Sequence, residues 1–141
     1  MNTIGQELPI VVSDALKERN YGDYNGKNKW EIKKQLSPED FLQLRRGWDY
    51  PVPNGETLKQ VYERVIPYYQ TTMLPELQKG KNVIVSSSGN ALRSLMKYLE
   101  NISDEEIRII HETDELIGIM MDKYKMTGNK FFQRLETLKT H

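Results

Sequence analysis

The chain has 141 residues, enough for one domain with its own core, and its 20 basic side chains balance its 20 acidic ones. A net charge of zero gives no global pull towards nucleic acid or membrane. The absence of cysteine removes disulfide and thiol chemistry. No run reaches membrane-spanning length, and the first residues lack a basic stretch followed by an apolar one, so a cytoplasmic protein is expected.

In chain order, Met1–Gln6 reads as loose. Leu8–Val12 is a short β-branched run and predicts a strand, with Pro9 near its start. Tyr21–Gly26 is rich in Gly, Asn and Asp and reads as turns. This polar loop holds Glu18, Arg19, Tyr21, Lys27 and Lys29, and suits a binding loop or equally a solvated connector. Lys29–Leu36 predicts a short helix, with Trp30 and Ile32 or Lys33 flanking its inner face. Ser37 then caps a second helix. Pro38 fits its first position, and Glu39 and Asp40 favour its positive end. That helix closes on Arg45 and Arg46, which are either plain surface charge or a forked grip for a phosphate or carboxylate.

Asp49–Gly55 contains two prolines and Asn-Gly and is extended or turn-like. Leu58, Val61, Tyr62, Val65, Tyr69, Met73 and Leu77 recur at helical steps, predicting a long helix from about Glu56 to Lys79. Pro67 and Pro75 fall inside it. Each costs about 3 kcal/mol in a regular helix interior, so a kink or break is expected near each. Gly80 is a natural C-cap.

Lys81–Arg93 reads as strand, tight polar turn and helix start. Val83, Ile84 and Val85 predict a strand covered on both faces. Leu92, Leu95, Met96 and Leu99 predict a helix ending near Asn101. The helix N-terminus after the turn offers free N–H groups that suit an anion, and Arg93 in its first turn could add charge. An ordinary strand–helix joint would look the same. Ser103–Glu106 is a capping box, predicting a further helix ending near His111. Glu115–Lys125 reads as a last strand, Thr127–Asn129 as a turn, and Phe131–Leu138 as a short helix. Strands alternating with helices predict a single α/β domain over residues 1–141, a three-layer sandwich with a mainly parallel sheet.

Seven blocks in this order resemble the cofactor-dependent phosphoglycerate mutases of the histidine phosphatase superfamily. Leu16–Gly22 resembles the family's L-N-E-R-H-Y-G, and Gly26–Lys29 its G-L-N-K. Leu44–Asp49 resembles W-R-R-S-x-D, and Gly55–Leu58 its G-E-S-L. Ile66–Tyr69 and Leu74–Leu77 resemble the two proline-bearing stretches of its long helix, and Ser88–Arg93 resembles H-G-N-S-L-R. The resemblance implies interconversion of 2- and 3-phosphoglycerate with 2,3-bisphosphoglycerate as cofactor and no metal. It implies Glu18 as the acid/base carboxylate. Arg19, Tyr21, Lys29, Arg45 and Arg46 would grip the substrate's phosphate and carboxylate, with donors from Gly89 and Asn90.

Two departures matter. The family opens with a strand ending in Arg-His-Gly, whose histidine accepts the phosphoryl group, and no such motif occurs here. The second family histidine is Ser88, and Asn20 replaces the histidine of E-R-H-Y. A serine without a base is a poor nucleophile. The chain is therefore expected to be a truncated or split member lacking the N-terminal strand–helix portion, inactive by itself. A non-catalytic phospho-ligand binder or an interaction remnant is the alternative. Expected partners are a phosphoglycerate-like anion and a separate N-terminal fragment or a second copy, with no nucleic acid or membrane.

Overall fold

The computed structural model describes residues 7–108 and, as backbone, 118–121. Two prolines shape its longest helical run. Helix α3, Leu58–Tyr68, starts at a capping box in which Thr57 Oγ1 accepts from Gln60 N (3.2 Å) and Gln60 Oε1 accepts from Thr57 N (2.8 Å). Pro67 sits near its end. A single π-helical turn, Tyr69–Met73, follows, and α4, Leu74–Gln78, resumes with Pro75 in its first turn. The expected interruptions thus become one wide turn between the prolines, where a missing N–H breaks the regular ladder. The Thr71 hydroxyl donates to the Pro67 carbonyl there at 2.9 Å. Gly80, at φ 81°, ends α4 as expected.

Helix α5, Gly89–Glu100, packs along α3 and ends at Asn101 in the left-handed conformation, φ 51°. Val61, Val65 and Ile66 of α3 meet Ala91, Leu92, Leu95 and Met96 of α5, with Tyr69, Met73 and Val85 closing the cluster. Burying each large aliphatic here stabilises the fold by about 1.5–3 kcal/mol. A chain of edge-to-face rings, Trp48–Tyr62–Tyr98–Tyr69, flanks this core.

Helices α1, Lys29–Gln35, and α2, Pro38–Arg46, form a second, smaller packing unit around Ile32, Leu44 and Val52. Asn28 and Ser37 cap them by accepting from Trp30 N and Asp40 N. Trp30 departs from expectation. It is 58% exposed, because α1 is too short to bury more than the one stripe that Ile32 occupies.

Strand β1, Val83–Ser86, pairs with β2, Gly118–Met121, which falls inside the strand expected at 115–125. The ladder is antiparallel, Val83 opposite Met121 and Ser86 opposite Gly118, whereas the sheet was expected to be mainly parallel. Val85 is buried but Ile84 is 68% exposed, so β1 is covered on one face and not on both. Leu8–Val12 forms no strand, since a β-prone run needs a pairing edge and none meets it among the described residues. The Ser103 capping box forms as read, with Glu106 N donating to Ser103 Oγ (3.1 Å) and Ser103 N to Glu106 Oε2 (3.0 Å). Among the described residues it opens the 3₁₀ turn Glu106–Arg108. The expected helix end at His111, the 127–129 turn, the 131–138 helix and residues 1–6 lie outside the described residues.

Candidate functional site

The site begins with a loop stitched to a turn. Gly22, at φ 53°, brings its backbone against Pro53, and a Cβ there would lie 2.0 Å from the Pro53 carbonyl oxygen. Only glycine fits such an approach. Asp23 N donates to Pro53 O (3.0 Å), Glu56 N to Asn20 O (2.7 Å) and Asn20 N to Glu56 Oε2 (2.9 Å).

Arg64 of α3 locks this seam from behind. Its Nε donates to Glu56 Oε1 (2.9 Å), its Nη1 to Ala15 O (2.6 Å) and its Nη2 to Lys17 O (2.9 Å) and Glu18 O (3.2 Å). Burial pushes the Glu56 carboxyl up, but the Arg64 hydrogen bond, the Asn20 N–H and the charges of Arg64 and Lys17 outweigh it and hold it below the ordinary carboxylate range. Sequence reading missed both residues. The signal was present in the Gly55–Leu58 block, whose glutamate is Glu56, but nothing local joins it to a guanidinium eight residues on.

Arg19 is 2% exposed. Its Nε donates to Glu56 O (2.7 Å) and its Nη1 to Leu44 O (3.1 Å), while its guanidinium carbon stands 4.7 Å from the centre of the Tyr21 ring. Burial lowers its pKa, against the opposing pull of Tyr21 and Glu18. Its Nη2 is buried and has no hydrogen-bond partner among the described residues.

The α5 N-terminus meets this loop through Asn90, whose Nδ2 donates to Glu18 Oε1 (3.1 Å) and to Tyr21 Oη (3.2 Å). Residues 69 and 72 apart in sequence are thereby joined at one point. Ser87 donates to the Leu16 carbonyl and ties the same turn to the segment before Glu18. Ser88 occupies the N-cap of α5 without capping it, and its Oγ is buried without a partner among the described residues. The first N–H groups of α5 therefore have no side-chain acceptor from their own cap. Arg93 points inward instead of adding charge to this end. It is 2% exposed and donates to Asn90 Oδ1 (3.3 Å), Arg46 O (3.2 Å) and Ile107 O (2.7 Å), so it orients Asn90 and ties α5 to the end of α2.

Arg45 and Lys29 neighbour Tyr21. They line a cavity of about 200 Å³ together with Tyr21, Tyr24 and Lys27. The Arg45 guanidinium carbon lies 5.7 Å from the Tyr21 ring centre, so Arg19 and Arg45 share one aromatic ring. The structure thus brings together Glu18, Arg19, Tyr21, Asn90 and, through Tyr21, Arg45 and Lys29. Gly89 is the first residue of α5, next to Asn90. Arg46 is half-buried, and its carbonyl accepts from Arg93. Among the described residues no cluster of three or more His, Asp or Glu could hold a metal, and no helix is long and apolar enough to cross a membrane.

A buried arginine, a carboxylate and a helix N-terminus without a side-chain cap thus lie around one turn, and comparison shows the family. The model of the histidine phosphatase superfamily, branch 1, matches residues 1–130, and the chain belongs to that family. A Cytophaga hutchinsonii protein named 2,3-bisphosphoglycerate-dependent phosphoglycerate mutase is 44% identical over 107 residues, 76% of this chain and 50% of its own length. A Chlamydia trachomatis protein of the same name is 38% identical over 133 residues, 94% of this chain and 57% of its own. A third of that name, from Methanosarcina acetivorans, is 44% identical over 109 residues, 77% of this chain and 44% of its own. The chain spans about half the length of the curated relatives it matches.

Proposed function

We propose that this chain carries the phosphoglycerate-gripping part of a phosphoglycerate mutase site, serving the interconversion of 2- and 3-phosphoglycerate in the cytoplasm. The observation that carries this reading is the Asn90 side chain bonded at once to Glu18 and Tyr21. It brings two separate motif blocks to one place. Arg19, Lys29, Arg45 and Arg46 supply positive charge for a phosphate and a carboxylate. Gly89 and Asn90 supply donors at the α5 N-terminus. Glu18 moves a proton to or from the substrate hydroxyl. The two orphan atoms, Arg19 Nη2 and Ser88 Oγ, suit an oxyanion, since a buried donor left unpaired costs about 1–3 kcal/mol that a bound anion would recover. The same residues fit 2,3-bisphosphoglycerate, which when bound supplies a phosphoryl group. In this reading β1 and β2 are part of a three-layer sandwich with a mainly parallel sheet.

The test is an NMR titration with 3-phosphoglycerate. The expected result is weak binding that fades with added salt, shifts the Gly89 and Asn90 amides, and is lost in Arg45→Ala/Arg46→Ala. Identical shifts in that variant and the unaltered protein would rule out this site. A second reading, a phospho-ligand binder without catalysis, is favoured by Ser88, because a serine hydroxyl is a poor substitute for the imidazole nitrogen that a phosphohistidine needs. Neither His111 nor His141 falls within the described residues. Mutase turnover by the purified chain, lost in Glu18→Gln, would exclude that second reading.

A further inference from the structure

The cavity of about 200 Å³ beside Arg45 is built from two chemistries, of which phosphoglycerate uses one. Lys27, Lys29 and Arg45 line it, and no acid does. Among the described residues none of these three cations has a carboxylate within ion-pairing distance. All three are exposed, so their charge is open to an anion arriving from solvent. The second chemistry is apolar. Ile32, 7% exposed, belongs to the α1–α2 core, and the half-buried rings of Tyr21, Tyr24 and Phe41 pack against that core while lining the cavity.

Charge and ring stand side by side here. The Lys27 ammonium lies 5.7 Å from the centre of the Tyr24 ring, and the Arg45 guanidinium carbon lies 5.7 Å from that of Tyr21. Every carbon of phosphoglycerate bears oxygen, so it has no apolar surface to set against these side chains. A flat ring has such a surface, and aromatic neighbours meet it in offset or edge-to-face arrangements. The volume is below the roughly 300–1,000 Å³ usual for drug-sized ligands, which suits one ring and one acid group.

We infer that this cavity also binds small aryl phosphates, monoesters carried on a single flat ring, and that Phe41 and Tyr24 select the ring; this rests on the mutase reading only for Lys29 and Arg45 as the anion's grip. Tyr21 joins the cavity to the Glu18–Asn90 contact, since its ring lines the one and its hydroxyl accepts from Asn90 in the other. An aryl phosphate and phosphoglycerate therefore compete for the same cations.

The test is an NMR titration of the chain with three probes: phenyl phosphate, 3-phosphoglycerate, and methyl phosphate, which has the same charged group without the ring. Phenyl phosphate should bind about tenfold more tightly than methyl phosphate. It should displace 3-phosphoglycerate and give nuclear Overhauser contacts from its ring protons to Phe41 and the Ile32 methyls. Phe41→Ala should erase the tenfold preference and leave methyl phosphate binding unchanged. Because Phe41 is half-buried, Lys27→Gln serves as a second variant that alters an exposed side chain. It should weaken phenyl and methyl phosphate by one common factor, so that their ratio stays. Equal affinity for the two esters, ring contacts outside this cavity, or a preference that survives in folded Phe41→Ala would each overturn the inference, and the mutase reading stands if 3-phosphoglycerate still binds. Loss of the preference in Lys27→Gln would also overturn it, since charge and not the rings would then select the ligand. Phenyl phosphate bound in the cavity without any binding of 3-phosphoglycerate would support the inference and overturn the mutase reading. Binding of neither would overturn both.

Discussion

Two regions next to the α3–α5 core, the loop seam and the surface by β1, are finished to different degrees. On the side of the loop, polar groups are closed upon one another. Arg64 holds three carbonyls and Glu56, Arg93 holds Asn90 and two carbonyls, and Asn90 reaches Glu18 and Tyr21. On the side of β1, aliphatic side chains from Leu8 to Val12 and at Ile84 face solvent. The difference reflects the unequal cost of leaving each kind of group alone. A buried polar group without a partner is expensive, so among the described residues most of those on this side are satisfied, Arg19 Nη2 and Ser88 Oγ being exceptions. An exposed aliphatic forfeits only the burial it would have gained, so it can wait for a partner. The loop seam is therefore pre-organised by its own hydrogen bonds, while the aliphatic side chains at 8–12 and Ile84 stay exposed.

Breaking what the two sides share should have the largest effect. Leu95 is fully buried in the α3–α5 core, and Leu95→Ala should cost about 2–5 kcal/mol in chemical denaturation, loosening the loop seam and the β1 region together. Next, Arg64→Met should act on the polar side alone. It removes donors from three carbonyls and leaves Glu56 without its cation, for a loss of roughly 2–3 kcal/mol. Hydrogen exchange should rise across residues 15–23 and stay unchanged at β1. Gly22→Ala sharpens the same contrast. A Cβ at φ 53°, 2.0 Å from the Pro53 carbonyl, should cost about 1–3 kcal/mol, seen as a lower melting temperature with the α3–α5 contacts intact by NMR.

Acid should produce a smaller, graded version of the Arg64 variant. The Glu56 carboxyl titrates below its ordinary value of 4.5 in the folded chain. A carboxylate lowered on folding contributes stability that is fully present above the unfolded value and lost as the pH falls through the folded one. Between pH 5 and acid the loop seam should therefore loosen, with the amides of Asn20 and Glu56 shifting together, and Glu56→Gln should abolish that dependence. The smallest effect is expected at Ile84→Lys, within about 0.5 kcal/mol of unaltered stability, because that side chain is already exposed. A large loss there would mean that Ile84 is covered in the free chain and that the two sides are not different in kind.

Local chemistry was legible in the sequence wherever a few neighbouring residues decide it. The caps at Ser37 and Ser103, the stop at Gly80, the interruption between Pro67 and Pro75, and the helical stripe from Val61 to Met73 all follow from short-range rules. So does the family, because motif blocks keep their order and spacing. What needed the tertiary structure is whatever depends on distant partners. The run Leu8–Val12 has strand composition, yet a strand exists only where an edge accepts it. Trp30 has the look of a core residue, yet α1 offers it no opposing surface. Arg93 reads as a charge for an anion, yet carbonyls from α2 and the turn at Ile107 claim it. Glu56 and Arg64 carry no motif that announces a clamp, and only the fold lays Ala15, Lys17 and Glu18 across the guanidinium. Residue types and their spacing determined the helices, their ends and the kinship. The partners of each polar group, and which apolar side chains find cover, were decided by the packing of segments far apart in the chain, because burial and hydrogen bonding are properties of the assembled neighbourhood.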